Sequence, residues 1–313
     1  MAESLQNLKR RLSGVKNINQ ITRAMELVAA TKMRKSQEIA LASRSYSYAA
    51  FELLANLSGI EHVALPPIFE RRAVKKTAFV VVTSDKGLAG AFNSNVIRTF
   101  DKWLTAELAN STTEETYIAV GQKAANYLEK KGALRAKFTR VGDFTTVEQV
   151  QPLADLLITG FLSGEWDRVV VFSMNFKSAL SQEVIRHEIF PIDVAKLRET
   201  AEEMIPKTGR YAELRAKGEL KILEAGTKKN EYIIEPSPES ILGDLGRHLV
   251  LMEIYHLILE ANASEHAARR TAMKSASDNA SDLASALSLE YNKSRQALIT
   301  REIIEIVAGS EAL

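Results

Sequence analysis

The 313-residue sequence contains no cysteine, which excludes a disulfide, a thiolate metal site and a thiol-based switch. A membrane-spanning helix needs about 18 consecutive apolar residues, and no run in this sequence approaches that length. The most apolar stretch, residues 249–259, contains Glu253 and His256. The polar first residues lack the apolar segment of a signal peptide. We therefore expect a cytoplasmic chain, unless it docks on a membrane complex through partners.

The sequence also lacks a strong excess of either charge, because it contains 41 basic and 39 acidic residues. The charge is unevenly distributed: residues 1–58 contain 9 basic and 4 acidic side chains, whereas residues 240–313 contain 7 and 10. Only Glu26 interrupts eight positive charges between Lys9 and Lys35. Such a basic helix can bind nucleic acid, a membrane surface or an acidic protein, or simply face solvent. Aromatic residues are few and do not interleave with this run, which disfavours base stacking, but composition leaves an acidic protein and DNA both open.

Glycine and proline, the residues that break helices, are missing from two long stretches. Neither occurs between Gly14 and Gly59, no proline follows Pro238, and no glycine lies between Gly246 and Gly309. Apolar residues in the first stretch recur every three or four positions, as on one stripe of a helix: Leu5, Leu8, Leu12, Val15, Ile18, Ile21, Met25 and Val28. A similar seam in the second stretch contains Leu245, Leu249, Met252, Tyr255, Leu259, Asn262, His266, Met273, Ala276, Ala280, Leu283, Leu287 and Tyr291.

The two stretches predict helices of roughly 80 and 100 Å, longer than the roughly 40–50 Å width of a compact domain of this size. Each helix has one apolar stripe that needs a partner, and the opposite net charges of the two favour their pairing. We therefore predict a long antiparallel coiled coil made of residues 1–58 and 240–313. An ordinary helical bundle is the alternative, but it requires helix breaks that these stretches do not contain.

Residues 59–239 alternate between β-branched runs and helical patterns. The predicted strands are residues 77–83, 116–120, 135–140, 168–173 and 183–190, and the predicted helices are residues 91–108, 122–130 and 147–162. This βαβ rhythm indicates a Rossmann-like α/β domain with a mostly parallel sheet. Residues 199–230 are polar and irregular, and a short extended segment, residues 231–235, precedes the last helix.

The loop Ser84–Gly90 joins a predicted strand to a helix, where phosphates bind in many α/β proteins. The spacing of Gly87 and Gly90 matches neither common nucleotide-binding pattern, so a tight turn is favoured over a nucleotide site. The histidines do not have the spacing of metal ligands: His62, His187, His248, His256 and His266. No serine has the surroundings of a catalytic nucleophile. We therefore predict no catalytic, cofactor-binding or metal-binding residue.

Four segments stand out by their sequence: residues 21–37 (ITRAMELVAATKMRKSQ), 84–93 (SDKGLAGAFN), 263–280 (ASEHAARR, then AMKSASDNA) and 291–302 (YNKSRQALITRE). In order and spacing they resemble the signatures of the gamma-subunit family of F-type ATP synthases over the whole chain. Arg301 stands where the family usually has Gln, and residues 199–230 match no family pattern. The thiol-regulated insert of chloroplast forms is missing, in agreement with the absence of cysteine, so that redox control is not expected.

The resemblance implies a rotating central stalk without a catalytic site or cofactor of its own. Its coiled coil would lie inside a ring of three alpha and three beta subunits, and its α/β part would contact the epsilon subunit and the membrane c-ring, at the cytoplasmic face of a bacterial inner membrane. It would couple proton-driven rotation to ATP synthesis or hydrolysis on the beta subunits. The implied beta-subunit contacts are Arg23, Met25, Lys32, Arg269, Arg295, Gln296 and Thr300, and the implied contacts with the rotor ring or epsilon are Tyr232 and Glu235.

Two other classes of protein stay open at this point. One is a coiled-coil scaffold without rotary function, which would bind no alpha–beta ring. The other is a nucleotide-binding enzyme that uses Gly87 and Gly90, which would bind ATP by itself.

Overall fold

The structure, a computed structural model, describes residues 5–58, 66–108, 113–132, 134–192, 235 and 237–311. The helices are α1 (Leu5–Ser58), α2 (Phe92–Leu108), α3 (Gln122–Lys131), α4 (Val147–Ser163) and α5 (Pro238–Glu311), with a short 3₁₀ turn at Pro67–Phe69. The strands are β1 (Lys76–Val82), β2 (Glu114–Val120), β3 (Leu134–Phe138), β4 (Arg168–Phe176) and β5 (Gln182–Phe190). The predicted mixed α/β class with long terminal helices is confirmed.

The five strands form one sheet in the order β3-β2-β1-β4-β5. Strands β1 to β4 are parallel to their neighbours, and β5 pairs antiparallel with β4. In the middle of the sheet Val80 pairs with Ile118 of β2 and with Val171 of β4. All three are buried, because a parallel sheet covered on both faces consists of continuous apolar runs.

The chain divides into two compact units. We call residues 32–268 the α/β unit, and residues 1–31 together with 269–313 the two-helix unit. The division of the sequence into domains at residues 59 and 240 stays a prediction, because the unit boundaries fall inside the two long helices.

Aromatic rings fill the core of the α/β unit. Phe100 lies edge-on to Phe172, with ring centroids 5.2 Å apart, and also contacts Phe79 and Tyr117. Trp166 is fully buried, and its indole N–H donates a hydrogen bond to the carbonyl oxygen of Leu157, at 3.0 Å.

The first third of α5 is a core element of the α/β unit. Residues 249–267 are buried throughout except for the half-buried Glu260, and a helix that is covered on all sides belongs to a protein interior. The Ser173 hydroxyl of β4 donates to the carbonyl oxygen of Leu257 at 3.2 Å, which ties this part of α5 to the sheet.

The two-helix unit has a coiled-coil seam, which we define as those of its buried and half-buried positions that recur in alternating steps of three and four. In α1 the seam residues are Leu5, Leu8, Leu12, Val15, Asn19, Thr22, Glu26 and Ala29, and in α5 they include Met273, Ser277, Ala280, Ala284, Leu287, Tyr291 and Ser294. Alternating steps of three and four give the 3.5-residue repeat of a left-handed coiled coil. Asn19 donates to the carbonyl oxygen of Ser277, and Lys16, one turn earlier, shares a groove with later residues of α5, so the helices run antiparallel.

The predicted seam is wrong in α1 beyond Val15, where it shifts by one position, and at Leu283 of α5, whereas the predicted positions Met273, Ala280 and Leu287 are buried. Ile18, Ile21 and Val28 are more than half exposed, and Leu283 is 48% exposed. In α1 the seam continues beyond Val15 through the polar or small residues Asn19, Thr22, Glu26 and Ala29. Ile18, Ile21 and Val28 therefore lie outside the seam.

Candidate functional site

The loop Ser84–Gly90 follows β1 at the carboxyl edge of the parallel strands. Its backbone adopts left-handed φ at Leu88 (64°) and at Gly90 (55°). The side chain of Asn93 accepts a hydrogen bond from the Ser84 N–H at 2.9 Å and donates one to the Ser84 hydroxyl at 2.8 Å. These internal hydrogen bonds agree with the tight turn that the sequence favours.

The side chain of Asp85, a residue of this loop, occupies the N-terminus of α3, a position where an anion could otherwise bind. Its carboxylate accepts from the N–H of Gln122, the first residue of α3, and from the N–H of Arg140, both at 2.9 Å. A helix N-terminus attracts anions such as phosphate. Here a carboxylate of the chain itself fills that role at the N-terminus of α3.

Helix α5 crosses the part of the sheet where α/β enzymes bind ligands. That place is the crevice where the strand order reverses, here between β1 and β4. Ser264 donates to the carbonyl oxygen of Met174 on β4 at 3.5 Å, while the Asn262 amide donates to the Val141 carbonyl (3.3 Å) and the Thr145 hydroxyl (2.9 Å) beyond β3. Because β1 and β2 lie between β3 and β4, α5 passes over them.

The carboxylate of Asp143, in the loop between β3 and α4, contacts both long helices. Lys32 Nζ of α1 lies 2.5 Å from Oδ2, and His266 Nε2 of α5 lies 3.0 Å from Oδ1. Burial raises the pKa of the Asp143 carboxyl, but the hydrogen bond from Lys32 and the positive charges of His266, Lys32 and Lys86 lower this pKa further, so the net shift is downward. Asp143 is therefore an anion at neutral pH.

Arg23 and Met25, two implied beta-subunit contacts, lie in the two-helix unit. Met25 is half-buried beside the seam. Arg23 is exposed and lines a groove of about 730 Å³ between α1 and α5, together with Lys16 and the hydroxyl-bearing Ser281 and Ser285. Cationic groups and hydroxyls are donors that suit a carboxylate ligand. Lys32, a third implied contact, belongs to the α/β unit, where it pairs with Asp143.

The implied contacts at the end of α5 are exposed. Every residue from Arg295 to Ser310 is exposed, including Gln296 and Thr300, whereas Arg269 is half-buried. This end also exposes large apolar side chains: Leu298, Ile299, Ile303, Ile304, Ile306 and Val307. Such a concentration of exposed apolar residues indicates an interaction surface.

The remaining predicted positions are only partly within the described residues. Glu235 is exposed, whereas Tyr232, His62 and the segment 199–230 lie outside the described residues.

Two of the histidines pair with carboxylates of α5. His187 Nε2 of β5 lies 2.5 Å from Glu253 Oε1, and His256 Nε2 lies 3.0 Å from Glu260 Oε1. In the ranges that the structure describes, no group of three or more His, Asp or Glu residues could hold a metal ion. Within the same ranges, no helix is both long and apolar enough to cross a membrane.

Sequence reasoning missed Asp85 and Asp143. One signal for Asp143 is present, because Asn262 and His266 fall on the predicted apolar seam of the last helix. Polar side chains on a buried face need partners. Their partners could not be identified, because they come from an irregular loop without a recognisable pattern.

Comparison with known proteins agrees with this architecture. The family model described as ATP synthase matches residues 4–313. The ATP synthase gamma chains of Geotalea daltonii and of a Synechococcus species are 33% and 36% identical to this chain over 310 and 314 residues, which is 99% of each chain.

Solved structures show the same fold at low sequence identity. The rotor of the Euglena gracilis mitochondrial ATP synthase (rotational state 1) gives a TM-score of 0.59 at 19% identity, over 94% of this chain and 98% of that one. A chain of the OSCP/F1/c-ring structure of the same enzyme gives 0.61 at 18% identity, over 98% and 94%.

The described residues therefore define a mixed α/β protein with a sheet crossed by its own helix and with long helices at both ends. The chain belongs to the ATP synthase gamma chain family, as its whole-length relatives establish.

Proposed function

We propose that this chain is the central rotor shaft of an F-type ATP synthase. It couples rotation of a proton-driven membrane ring to conformational changes at the catalytic sites of the beta subunits. Family membership over the whole length supports this function. The observation that carries it is the apolar surface outside the seam of the two-helix unit: Ile18, Ile21, Leu27 and Val28 on α1, and the exposed end of α5.

Three alpha and three beta subunits surround the two-helix unit, and the epsilon subunit and the c-ring bind the other end of the shaft. The complex lies at the cytoplasmic face of a bacterial inner membrane, and the chain itself neither inserts into the membrane nor binds nucleic acid. It has no catalytic site and no cofactor, which agrees with an α/β ligand edge covered by α5.

The mechanism is a shift of conformational populations by differential contact. An asymmetric shaft presents a different face to each of three identical beta subunits, so each catalytic site adopts a different nucleotide affinity. Moving a two-state site from 1:99 to 99:1 takes about 5.5 kcal/mol. One exposed ion pair contributes only about 0–1 kcal/mol, so the coupling is spread over many contacts.

Two groups of residues make these contacts. Arg23, Met25, Lys32 and Arg269 face acidic loops of the beta subunits, and Arg295, Gln296 and Thr300 contact beta-subunit loops near the end of α5. Tyr232 and Glu235 contact the rotor ring or epsilon. The groove beside Arg23 supports the first group, because its donors suit acidic side chains.

Co-purification with alpha and beta subunits, followed by ATP hydrolysis with and without this chain, tests the proposal. We expect a stable complex whose hydrolysis depends on the chain. If the chain bound no alpha–beta ring, the result would favour a coiled-coil scaffold without rotary function. Tight binding of ATP to the isolated chain in calorimetry would favour the enzyme class.

Substitutions at Met25 and Arg295 test the distributed coupling. M25A and R295A are expected to assemble fully and to reduce the ratio of proton pumping to ATP hydrolysis. The matched control is L180A, a change at an exposed leucine in the turn between β4 and β5 of the α/β unit. Complete loss of assembly in R295A would contradict the proposal that no single contact dominates.

A further inference from the structure

Asp143 holds both long helices where they leave the α/β unit. Lys32 is the first residue of α1 in that unit, and His266 lies two residues before Ala268, the last residue of α5 in it. One carboxylate therefore joins the turns at which the two helices cross the boundary of the α/β unit, more than 200 positions apart in the sequence.

The loop that carries Asp143 is strained and is fixed by its surroundings. Three of its residues have left-handed φ, which side-chain-bearing residues adopt only when other contacts impose it: Arg140 (62°), Asp143 (57°) and Phe144 (57°). Asp85 binds the Arg140 N–H, and the Tyr255 hydroxyl of α5 donates to the carbonyl oxygen of Thr145 at 3.2 Å. These contacts fix the backbone of the loop that carries the Asp143 carboxylate.

We propose that Asp143 is a positioning residue for rotary coupling, which locks α1 and α5 to each other and to the sheet so that torque on the α/β unit enters both helices together. This inference rests on the proposed function. The bond from Lys32 to Asp143 is charge-assisted and therefore strong and directional, and His266 Nε2 lies against the other carboxylate oxygen, so sliding one helix along the other must break a contact to Asp143. Without the carboxylate, the cationic groups that face it, Lys32, His266 and Lys86, lose their common counter-charge.

The α/β unit contains a matched ion pair that serves as the control. Asp101 of α2 lies 2.6 Å from Lys131 of α3, with side chains 37% and 32% exposed. Asp143 and Lys32 are 40% and 29% exposed at 2.5 Å. Each pair joins two elements of the α/β unit, but Asp143 also lies against His266 and so contacts both long helices, whereas the Asp101–Lys131 pair joins α2 to α3.

The test uses the complete complex in inverted membrane vesicles and measures the ratio of ATP-driven proton uptake to ATP hydrolysis. D143N is expected to lower this ratio by about twofold or more, because the charge-assisted bond to Lys32 and the carboxylate charge beside His266 are both lost. D101N is expected to keep the wild-type ratio while lowering the melting temperature to a similar extent. An unchanged ratio in D143N, or an equal loss in D101N, overturns the inference.

Two further variants separate the charge from the fold of the loop. D143E keeps the negative charge and is expected to recover part of the ratio, and H266Q, which removes one of the two contacts, is expected to give an intermediate ratio. D143E as poor as D143N, or H266Q equal to wild type, would overturn the inference even if D143N did not fold. Wild-type complex without ATP-driven proton uptake would instead refute the proposed function.

Discussion

The α/β unit and the two-helix unit use different residues in their interiors. The α/β unit buries large side chains such as Phe79, Phe100 and Trp166, and its apolar runs match its strands. The two-helix unit buries a few apolar side chains such as Leu287 together with small and polar residues such as Ala29 and Thr22, while many of its larger apolar side chains are exposed. The difference indicates that the α/β unit is stabilised from within, whereas the two-helix unit keeps much of its apolar surface for a partner.

The contrast between the two units would be wrong if the aromatic core contributed little to the stability of the α/β unit. F100A removes a fully buried ring that packs against three others. We expect a loss of about 3–5 kcal/mol in the free energy of unfolding, from lost burial and the remaining cavity. Chemical denaturation monitors this change, and a loss below about 1 kcal/mol, the size of an average point mutation, would contradict the packing.

Two leucines of α5, one helical turn apart, allow buried and exposed positions of the two-helix unit to be compared directly. Leu287 is 4% exposed and Leu283 is 48% exposed. L287A is expected to cost about 2–5 kcal/mol, towards the lower end because its seam neighbours are small. L283A, the same change outside the seam, is expected to cost within about 0.5 kcal/mol. Thermal unfolding of the isolated chain measures the stability of both variants. Equal losses of stability would contradict the assignment of Leu287 to the seam and of Leu283 to the surface.

The α/β unit also depends on a half-buried carboxylate, which gives its stability a pH dependence. Asp167 accepts from the N–H groups of Lys75 (2.9 Å) and Lys76 (3.0 Å) and pairs with Arg72. Burial raises the pKa of Asp167, but these backbone hydrogen bonds and Arg72 lower it below its ordinary value.

A lowered pKa in the folded state stabilises the protein above the ordinary pKa of about 4, and this contribution is lost as the pH falls through the lowered value. D167N is expected to cost about 1.5–3 kcal/mol at neutral pH, because hydrogen bonds to a charged group are lost. The difference from wild type should shrink in acid, and a difference independent of pH down to acid unfolding would refute this role.

The smallest expected effect comes from the polar seam of the two-helix unit. N19A removes the hydrogen bond from the Asn19 amide to the carbonyl oxygen of Ser277, 2.7 Å long. We expect a loss of about 1 kcal/mol, the ordinary contribution of one such bond. N17A, at an exposed position two residues earlier, is the control, and equal effects of the two changes would contradict a specific role for Asn19.

The sequence predicts those parts of the fold that have strong local patterns. The β-branched runs at residues 77–83 and 168–173 mark β1 and β4, and the long stretches without glycine or proline mark α1 and α5. The predicted seam of α1 is displaced from Ile18 onward because the exposed apolar residues repeat with the same three-and-four spacing as a buried stripe. Periodicity alone does not distinguish a surface reserved for a partner from a surface buried within the chain.

The polar contacts were less predictable than the elements. Asp143 acts through residues from both ends of the chain, and its loop conformation depends on tertiary contacts with Asp85 and α5. Such long-range pairs leave no trace in local spacing. The residues implied to contact the beta subunits and the rotor ring came from the family resemblance alone, and those roles stay predictions.

The two tryptophans provide an optical reporter of one unit only. The chain has only Trp103 and Trp166, both within residues 32–268, so indole fluorescence follows the α/β unit alone. Far-ultraviolet circular dichroism, in contrast, sums over every helix. If helical signal is lost at a lower temperature than the shift in indole emission, the coiled coil melts first, because a single cooperative transition gives coincident curves for all probes. The two natural tryptophans, together with circular dichroism, therefore allow the melting of the two units to be distinguished without an added dye.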